Sequence, residues 1–264
     1  MLIGEPPRTG ADLHFEIFGI PVRIHPFFWL MALMLGAQGG TAEPIRILIW
    51  VLAVFPSVLV HELGHALAVR AHGWQARITL HGLGGLAAYN PTYHTPRSAM
   101  LIAASGPAAG FALAAVILLA LRIFGYQAGL IPTTATLDPA QMGVDGILRL
   151  SLIAFDAYFT PFATPQMTFL VADLLEVNIL WGLINLLPVV PLDGGQIARE
   201  VLIEANPAHG MRQSLWLSTI MAVGVALYAF AHGMLFVGLM FGYLAYQSYM
   251  ALPSYGGGPR QGPW

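Results

Sequence analysis

The chain has 264 residues, of which 57% are hydrophobic and only 9% are charged, and its formal net charge is -2. Soluble domains carry about a quarter of charged residues, so this composition excludes a soluble globule and a disordered chain, and the lack of excess positive charge excludes a nucleic-acid binder. The composition therefore predicts a multi-pass membrane protein.

The first 25 residues carry several charged side chains and no long apolar segment, so they do not resemble a signal peptide and we expect them to be retained. After them, six apolar stretches approach the roughly 20 residues that a helix needs to cross about 30 Å of hydrocarbon. These stretches cover residues 26–40, 45–71, 99–124, 168–188, 213–231 and 234–252. The first of them is short, with about a dozen strongly apolar residues.

Six spans place both termini on the same side of the membrane. If that side is the cytoplasm, eight of the eleven arginines lie inside, and only Arg46, Arg122 and Arg149 lie outside. Positively charged residues concentrate in cytoplasmic loops, so the sequence predicts cytoplasmic termini. The arginine-only, alanine- and glycine-rich composition is typical of a prokaryotic source, which indicates a prokaryotic cell membrane.

The second span contains His61, Glu62 and His65 in the sequence HELGH. Residues four apart lie one helical turn from each other, so both imidazoles point the same way and can bind one ion beside Glu62. This is the HExxH pattern of zinc hydrolases. Ionisable groups inside a membrane are costly without a function, so we favour a metal site over a polar patch bonded to neighbouring helices.

The segment between the third and fourth spans, residues 125–167, is rich in Thr, Pro and Gly. Within it, Leu148, Leu152, Phe155 and Phe159 recur at helical spacing, which predicts an interfacial amphipathic helix, with a re-entrant segment as the alternative. Residues 1–252 are expected to form one domain. The tail from 253 to 264 has few apolar residues and is predicted to be disordered.

The fourth span ends in the sequence NLLPVVPLDGG at residues 185–195. Its two prolines cannot continue a regular helix, so the span must unwind there. Unwound backbone at membrane depth is tolerated where protein buries it or where it lines a cavity, so Asp193 is expected to face a cavity or a metal. Asn178, seven residues before Asn185, is expected to bond to a neighbouring helix.

A catalytic zinc takes three protein ligands and leaves one position for water. The chain has no cysteine, so a carboxylate must join His61 and His65. Asp193 is the best candidate for the third ligand. Asp173 and Glu176 are alternative candidates, but they precede Pro188 by about 18 to 22 Å along the helix.

These residues together resemble the site-2 protease family of intramembrane zinc metalloproteases, which carries HExxH on its second core helix and an NxxPxxxLDG-type motif on its fourth. Three other segments are similar to family features: an N-terminal strand pair leading into the first helix at 15–30, a membrane-dipping hairpin with the sequence HGLGGLAAY at 81–89, and a Gly-Pro motif at 104–111. The resemblance covers residues 15–252. It implies an all-α polytopic fold of about six transmembrane helices with that strand pair and hairpin, and no PDZ or nucleotide-sensing domain.

The resemblance also implies hydrolysis of a peptide bond in or near a transmembrane segment of a single-span, membrane-anchored protein. One Zn2+ held by His61, His65 and Asp193 would lower the pKa of its water, and Glu62 would act as general base. Asn185 is the family-matched candidate to stabilise the oxyanion or to hold the substrate backbone. The hairpin edge would pair with an unwound substrate, or the hairpin would only plug the cavity mouth.

The chain departs from the family at Gly110, where relatives usually carry asparagine. Gly106 and Gly110 form a small-xxx-small pair suited to close helix packing. Two other functions stay open: a transporter or channel that uses an intramembrane His and Asp site, and an inactive family member that binds membrane partners. Glu62 between the paired histidines disfavours the first, and the intact ligands disfavour the second.

Overall fold

The computed structural model describes residues 6–37, 43–82, 84–90, 95–134, 147–152 and 155–255. The chain divides into two compact units. The first unit comprises Glu5–Thr92 and Ser105–Leu183, and the second comprises Met1–Gly4, Tyr93–Ala104 and Ile184–Trp264. Most of the predicted disordered tail lies outside the described residues, and its first three residues belong to a short 3-10 helix, Leu252–Tyr255.

The described residues contain five helices that are long and apolar enough to cross a membrane, which confirms the prediction of a multi-pass membrane protein. They are Pro44–Ala71, Pro96–Ile123, Pro165–Asn185, Gly210–Ala231 and Leu235–Ser254. The first predicted span forms a 12-residue helix, α1 (Pro26–Ala37), which extends only about 18 Å. The count of six spans is therefore not confirmed, and the side of the membrane on which the termini lie stays a prediction.

A four-stranded sheet in the first unit contains the predicted N-terminal strand pair. Strands β1 (Leu13–Ile17) and β2 (Ile20–Ile24) form an antiparallel hairpin, and β3 (Ala76–His81) and β4 (Gly84–Tyr89) form a second one. A parallel pairing between β2 and β3 joins the hairpins in the order β1-β2-β3-β4. In this sheet β4 is an edge strand, and its depth in the membrane stays a prediction.

The segment predicted as an interfacial amphipathic helix is instead a three-stranded antiparallel sheet. Its strands are β5 (Ala128–Pro132), β6 (Leu148–Leu152) and β7 (Phe155–Phe159), in the order β5-β7-β6. The helix prediction was wrong because residues four apart share one face in a strand as well as in a helix. Leu152 and Phe159, which suggested the apolar helix face, are buried in the core beside this sheet.

Asp156 is buried within this second sheet. Arg149 on β6 donates to its carboxylate, and the Thr133 hydroxyl donates to it at 3.0 Å. Burial would raise the pKa of Asp156, but the hydrogen bonds from Arg149 and Thr133 outweigh burial and lower its pKa below the ordinary value. The ionised carboxylate of Asp156 therefore stabilises the folded state at neutral pH, and this contribution is lost as the pH falls through the lowered pKa.

The helix of the fourth predicted span, Pro165–Asn185, unwinds at the predicted place. It consists of α4 (Pro165–Glu176), a π-helical turn (Val177–Trp181) and α5 (Gly182–Asn185). Residues 186–192 are not helical, and α6 (Asp193–Ala205) follows them. We call residues 186–192 the break.

The last two long helices form the core of the second unit. These helices, α7 (Gly210–Ala231) and α8 (Leu235–Ala251), pack closely along their length. Val189 of the break is fully buried in the apolar cluster of α7 and α8, against residues that include Ala222 and Phe241. Burial of this side chain fixes one point of the break against the two helices.

Candidate metal centre

The two histidines and the glutamate of the HELGH motif lie on the same long helix, α2 (Pro44–Ala71). His61, Glu62 and His65 are 5%, 5% and 8% exposed. Ionisable side chains that are so deeply buried are rare without a partner or a bound ion. Their burial in a helix able to cross a membrane supports the sequence-based hypothesis of a functional site.

The two imidazoles face each other across one helical turn. Their Nε2 atoms are 3.2 Å apart, and the rings meet at 81°. A tetrahedral zinc that binds nitrogens at 2.0 to 2.1 Å places two such ligands about 3.3 Å apart. The spacing of the two Nε2 atoms therefore fits two ligands of a single zinc ion.

Gly106 lies directly against the paired imidazoles. It belongs to α3 (Pro96–Ile123), and a Cβ at this position would lie 2.2 Å from Nε2 of His65 and 2.8 Å from Nε2 of His61. Gly64 on α2 has a similar role, since a Cβ there would lie 2.4 Å from the carbonyl oxygen of Ser105. Gly106 and Gly64 allow α2 and α3 to approach closely at the level of the histidines, and Gly106 is one of the two residues of the predicted small-xxx-small pair.

If His61 and His65 bind zinc as predicted, we expect Gly106→Ala to abolish zinc binding, because the new methyl group would displace the Nε2 atoms of both histidines. The measurement is zinc content of the purified protein. Gly224→Ala is the matched control, since a Cβ at Gly224 meets nothing within 4 Å, and it should retain zinc. Equal zinc in Gly106→Ala and the control would mean that these ring nitrogens do not bind the metal.

The β3-β4 hairpin contacts the glutamate of the motif. A Cβ at Gly85 on β4 would lie 2.2 Å from Cγ of Glu62 and 2.4 Å from its Oε1. The backbone of the edge strand thus covers the side chain of Glu62. Gly85 is not among the predicted site residues, although a pair of glycines within a strand is typical of close backbone approach.

The β3-β4 hairpin contains one histidine, His81, at the end of β3. Its burial lowers its pKa, and the charges of His25 and Arg23 lower it further. The imidazole is therefore neutral at neutral pH. It adds no positive charge to the hairpin that covers Glu62.

Asp173, an alternative candidate for the third zinc ligand, forms an ion pair with an arginine. Arg46 on α2 donates two hydrogen bonds to its carboxylate, at 2.5 and 2.6 Å. A bidentate guanidinium pair of this kind occupies both carboxylate oxygens. This interaction and a 2.8 Å hydrogen bond from Asn178 to Ser57 of α2 join α2 to the membrane helix Pro165–Asn185. The bond from Asn178 to Ser57 confirms the interhelical role predicted for Asn178.

Asn185 and Asp193 lie at the two ends of the break, in the second unit. Asn185 is the last residue of α5 and Asp193 the first of α6, and both are buried. Gly194 and Gly195 belong to the first turn of α6. A Cβ at Gly194 would lie 2.0 Å from the carbonyl oxygen of Leu186, so the first turn of α6 packs directly on the backbone of the break.

Comparison with known proteins gives several matches. Residues 49–230 match the sequence model of "Peptidase family M50". The chain is 30% identical over 210 residues to zinc metalloprotease sll0528 of Synechocystis sp., a match that covers 74% of this chain and 46% of that protein. It is 25% identical over 223 residues to zinc metalloprotease MJ0392 of Methanocaldococcus jannaschii, covering 84% of this chain and 53% of that protein. The chain thus spans about half the length of these relatives.

A solved structure has a similar fold. The site-2 protease from Methanocaldococcus jannaschii superposes with a TM-score of 0.54 at 18% sequence identity. The match covers 92% of this chain and 95% of that chain.

Proposed function

Because the chain belongs to peptidase family M50, the site-2 protease family, we propose that it is a membrane zinc metalloprotease that cleaves within or near a transmembrane segment of a single-span protein. One observation carries the proposal: two buried imidazoles with Nε2 atoms 3.2 Å apart, next to Glu62, on a helix long enough to cross a membrane. Transport of an ion through a His and Asp site would not require a carboxylate beside the paired imidazoles, whereas hydrolysis requires a base.

The proposed zinc ligands are His61, His65 and Asp193. The spacing of the imidazoles supports the first two. Asp193 is supported by its motif, by its burial at the start of α6, and by the engagement of the competing Asp173 with Arg46. A set of two nitrogens and one carboxylate oxygen matches catalytic zinc sites and leaves a fourth position open.

When bound there, zinc supplies Lewis acidity that lowers the pKa of water and polarises the scissile carbonyl. Glu62 accepts the proton of the attacking water and donates it to the amide nitrogen that leaves. Asn185 donates a hydrogen bond to the developing oxyanion or to the substrate backbone. Burial of Glu62 under β4 excludes bulk water from the carboxylate and holds its side chain in place.

The substrate proposed here is an extended segment of a membrane-anchored protein. A transmembrane helix satisfies all its backbone groups, so its scissile carbonyl is accessible only after local unwinding. The edge strand β4 offers backbone pairing to such a segment, and Gly85 on this strand contacts Glu62. We further propose cytoplasmic termini, from the arginine distribution, and a prokaryotic membrane, from the arginine-only, alanine- and glycine-rich composition.

We expect Gly85→Ala to retain zinc but to lose cleavage by about 100-fold or more, because the three atoms nearest to the new methyl group would all belong to Glu62, which it would displace. The assay uses the purified protein in liposomes with a single-span substrate, and zinc content is measured in parallel. Gly242→Ala is the control, since a Cβ there meets nothing within 4 Å. Unchanged cleavage by Gly85→Ala would remove the hairpin from the active site.

A further inference from the structure

The break contains one backbone donor that depends on a side chain of another helix. Two of its seven residues are prolines and have no N–H group. Leu187, Val189 and Leu192 donate their N–H groups to carbonyls of the break or the last turn of α5. The N–H group of Val190 instead donates to Oγ of Ser218 on α7, at 2.9 Å.

Ser218 is itself bound to a second hydroxyl. Its Oγ lies 2.8 Å from Oγ of Ser248 on α8, and both serines are completely buried. Val190 is half-buried, whereas its acceptor Ser218 is fully buried, so removal of the Ser218 hydroxyl would remove a hydrogen bond that ties the break to α7. The pair of serines therefore fixes the backbone of the break to both helices of the core of the second unit.

Val190 and Asp193 are close in sequence, so a shift of the Val190 backbone also shifts Asp193. Only Pro191 and Leu192 separate the two residues. A Cβ at Gly195 would lie 2.4 Å from the carbonyl carbon of Val189, so the first turn of α6 rests on the backbone next to Val190. Displacement of Val190 therefore displaces the start of the helix that carries Asp193.

We propose that Ser218 and Ser248 are positioning residues that hold Asp193 in the orientation needed to bind zinc. The inference rests on the proposed function, in which Asp193 is the third ligand. Neither serine touches substrate or metal in this scheme. Their hydroxyls act through the backbone of the break.

The chain provides a matched control for the loss of a buried hydroxyl. Ser214 lies one turn before Ser218 on α7 and is 2% exposed. Its Oγ donates to the carbonyl of Met211 in the same helix, at 2.8 Å. Ser214→Ala therefore removes a buried hydroxyl from α7 without removing a bond to the break.

The test is a zinc titration of the purified full chain against a competing chelator, together with the absorption spectrum of the cobalt-substituted protein. We expect Ser218→Ala to weaken zinc binding by about 10- to 100-fold, the range found when residues that orient ligands are removed, and to change the cobalt spectrum. Ser218→Thr, which keeps the hydroxyl, should restore affinity relative to Ser218→Ala. Ser214→Ala should resemble the unmodified protein.

Equal zinc affinity in Ser218→Ala and Ser214→Ala, whether both high or both low, would overturn the proposal. If Ser218→Ala does not fold, Ser248→Ala is tested in its place. A weaker zinc affinity than that of Ser214→Ala supports the inference, and an equal zinc affinity refutes it.

Asp193→Ala distinguishes failure of this inference from failure of the proposed function. Zinc binding that survives Asp193→Ala would refute the ligand set itself, whereas zinc lost in Asp193→Ala but unaffected by Ser218→Ala would refute only the positioning role.

Discussion

Replacement of Glu62 by glutamine is expected to reduce cleavage of a transmembrane substrate by about 100- to 10,000-fold while zinc remains bound. Glutamine keeps nearly the same volume, so β4, which packs on this side chain through Gly85, can stay in place. The amide cannot accept the proton of the attacking water. The loss should therefore lie in the chemical step, and substrate affinity should change little.

The measurement is single-turnover cleavage in liposomes, with zinc content determined on the same preparation. Glu204→Gln is the control because Glu204 is an exposed residue near the end of α6, and it should cleave at the rate of the unmodified protein. Full activity of Glu62→Gln would eliminate Glu62 as the general base.

Replacement of Asp193 by alanine is expected to weaken zinc binding by more than about 100-fold. Loss of a residue that only orients a ligand costs 10- to 100-fold in affinity, and loss of a ligand should cost more. Two imidazoles from one helical turn would then be the only proposed protein ligands. Cleavage should be lost together with the metal, in contrast to Glu62→Gln.

Asp173→Asn is the informative comparison for this variant. Asp173 is bound by both guanidinium nitrogens of Arg46, so the substitution should affect the contact between α2 and α4 but leave zinc stoichiometry in the folded protein unchanged. If Asp173→Asn lost zinc and Asp193→Ala retained it, the assignment of the third ligand would be reversed.

The long helices and the ends of the break were predictable because each depends on local sequence. Apolar windows near 20 residues mark spans whatever they pack against, and two closely spaced prolines end a helix in any context. The pairing of His61 with His65 follows from helical geometry alone. These features required no knowledge of distant contacts.

The contacts that shape the site were not predictable, since they join residues far apart in sequence. Gly85 covers Glu62 because β3 and β4 fold back on α2, and nothing in the sequence near Glu62 indicates this. Ser218 resembles any small residue of an apolar helix until its bond to Val190 is known.

The strands β6 and β7 illustrate a different limit of sequence analysis. Their leucines and phenylalanines are spaced by three or four residues, and such spacing does not separate a strand hairpin from a helix when the turn between them is unknown. The pairing of Arg149 with Asp156 across this hairpin explains the two charges within the apolar segment.

The most direct test of intramembrane hydrolysis is mass spectrometry of the products formed from a single-span substrate in liposomes prepared in H2(18)O. We expect zinc-loaded protein to cut within or next to the transmembrane segment and to place one 18O atom in the new carboxylate, with at least about 100-fold less product from Glu62→Gln. Cleavage confined to a soluble part of the substrate, or intact substrate after incubation with the zinc-loaded protein, would contradict the proposed function.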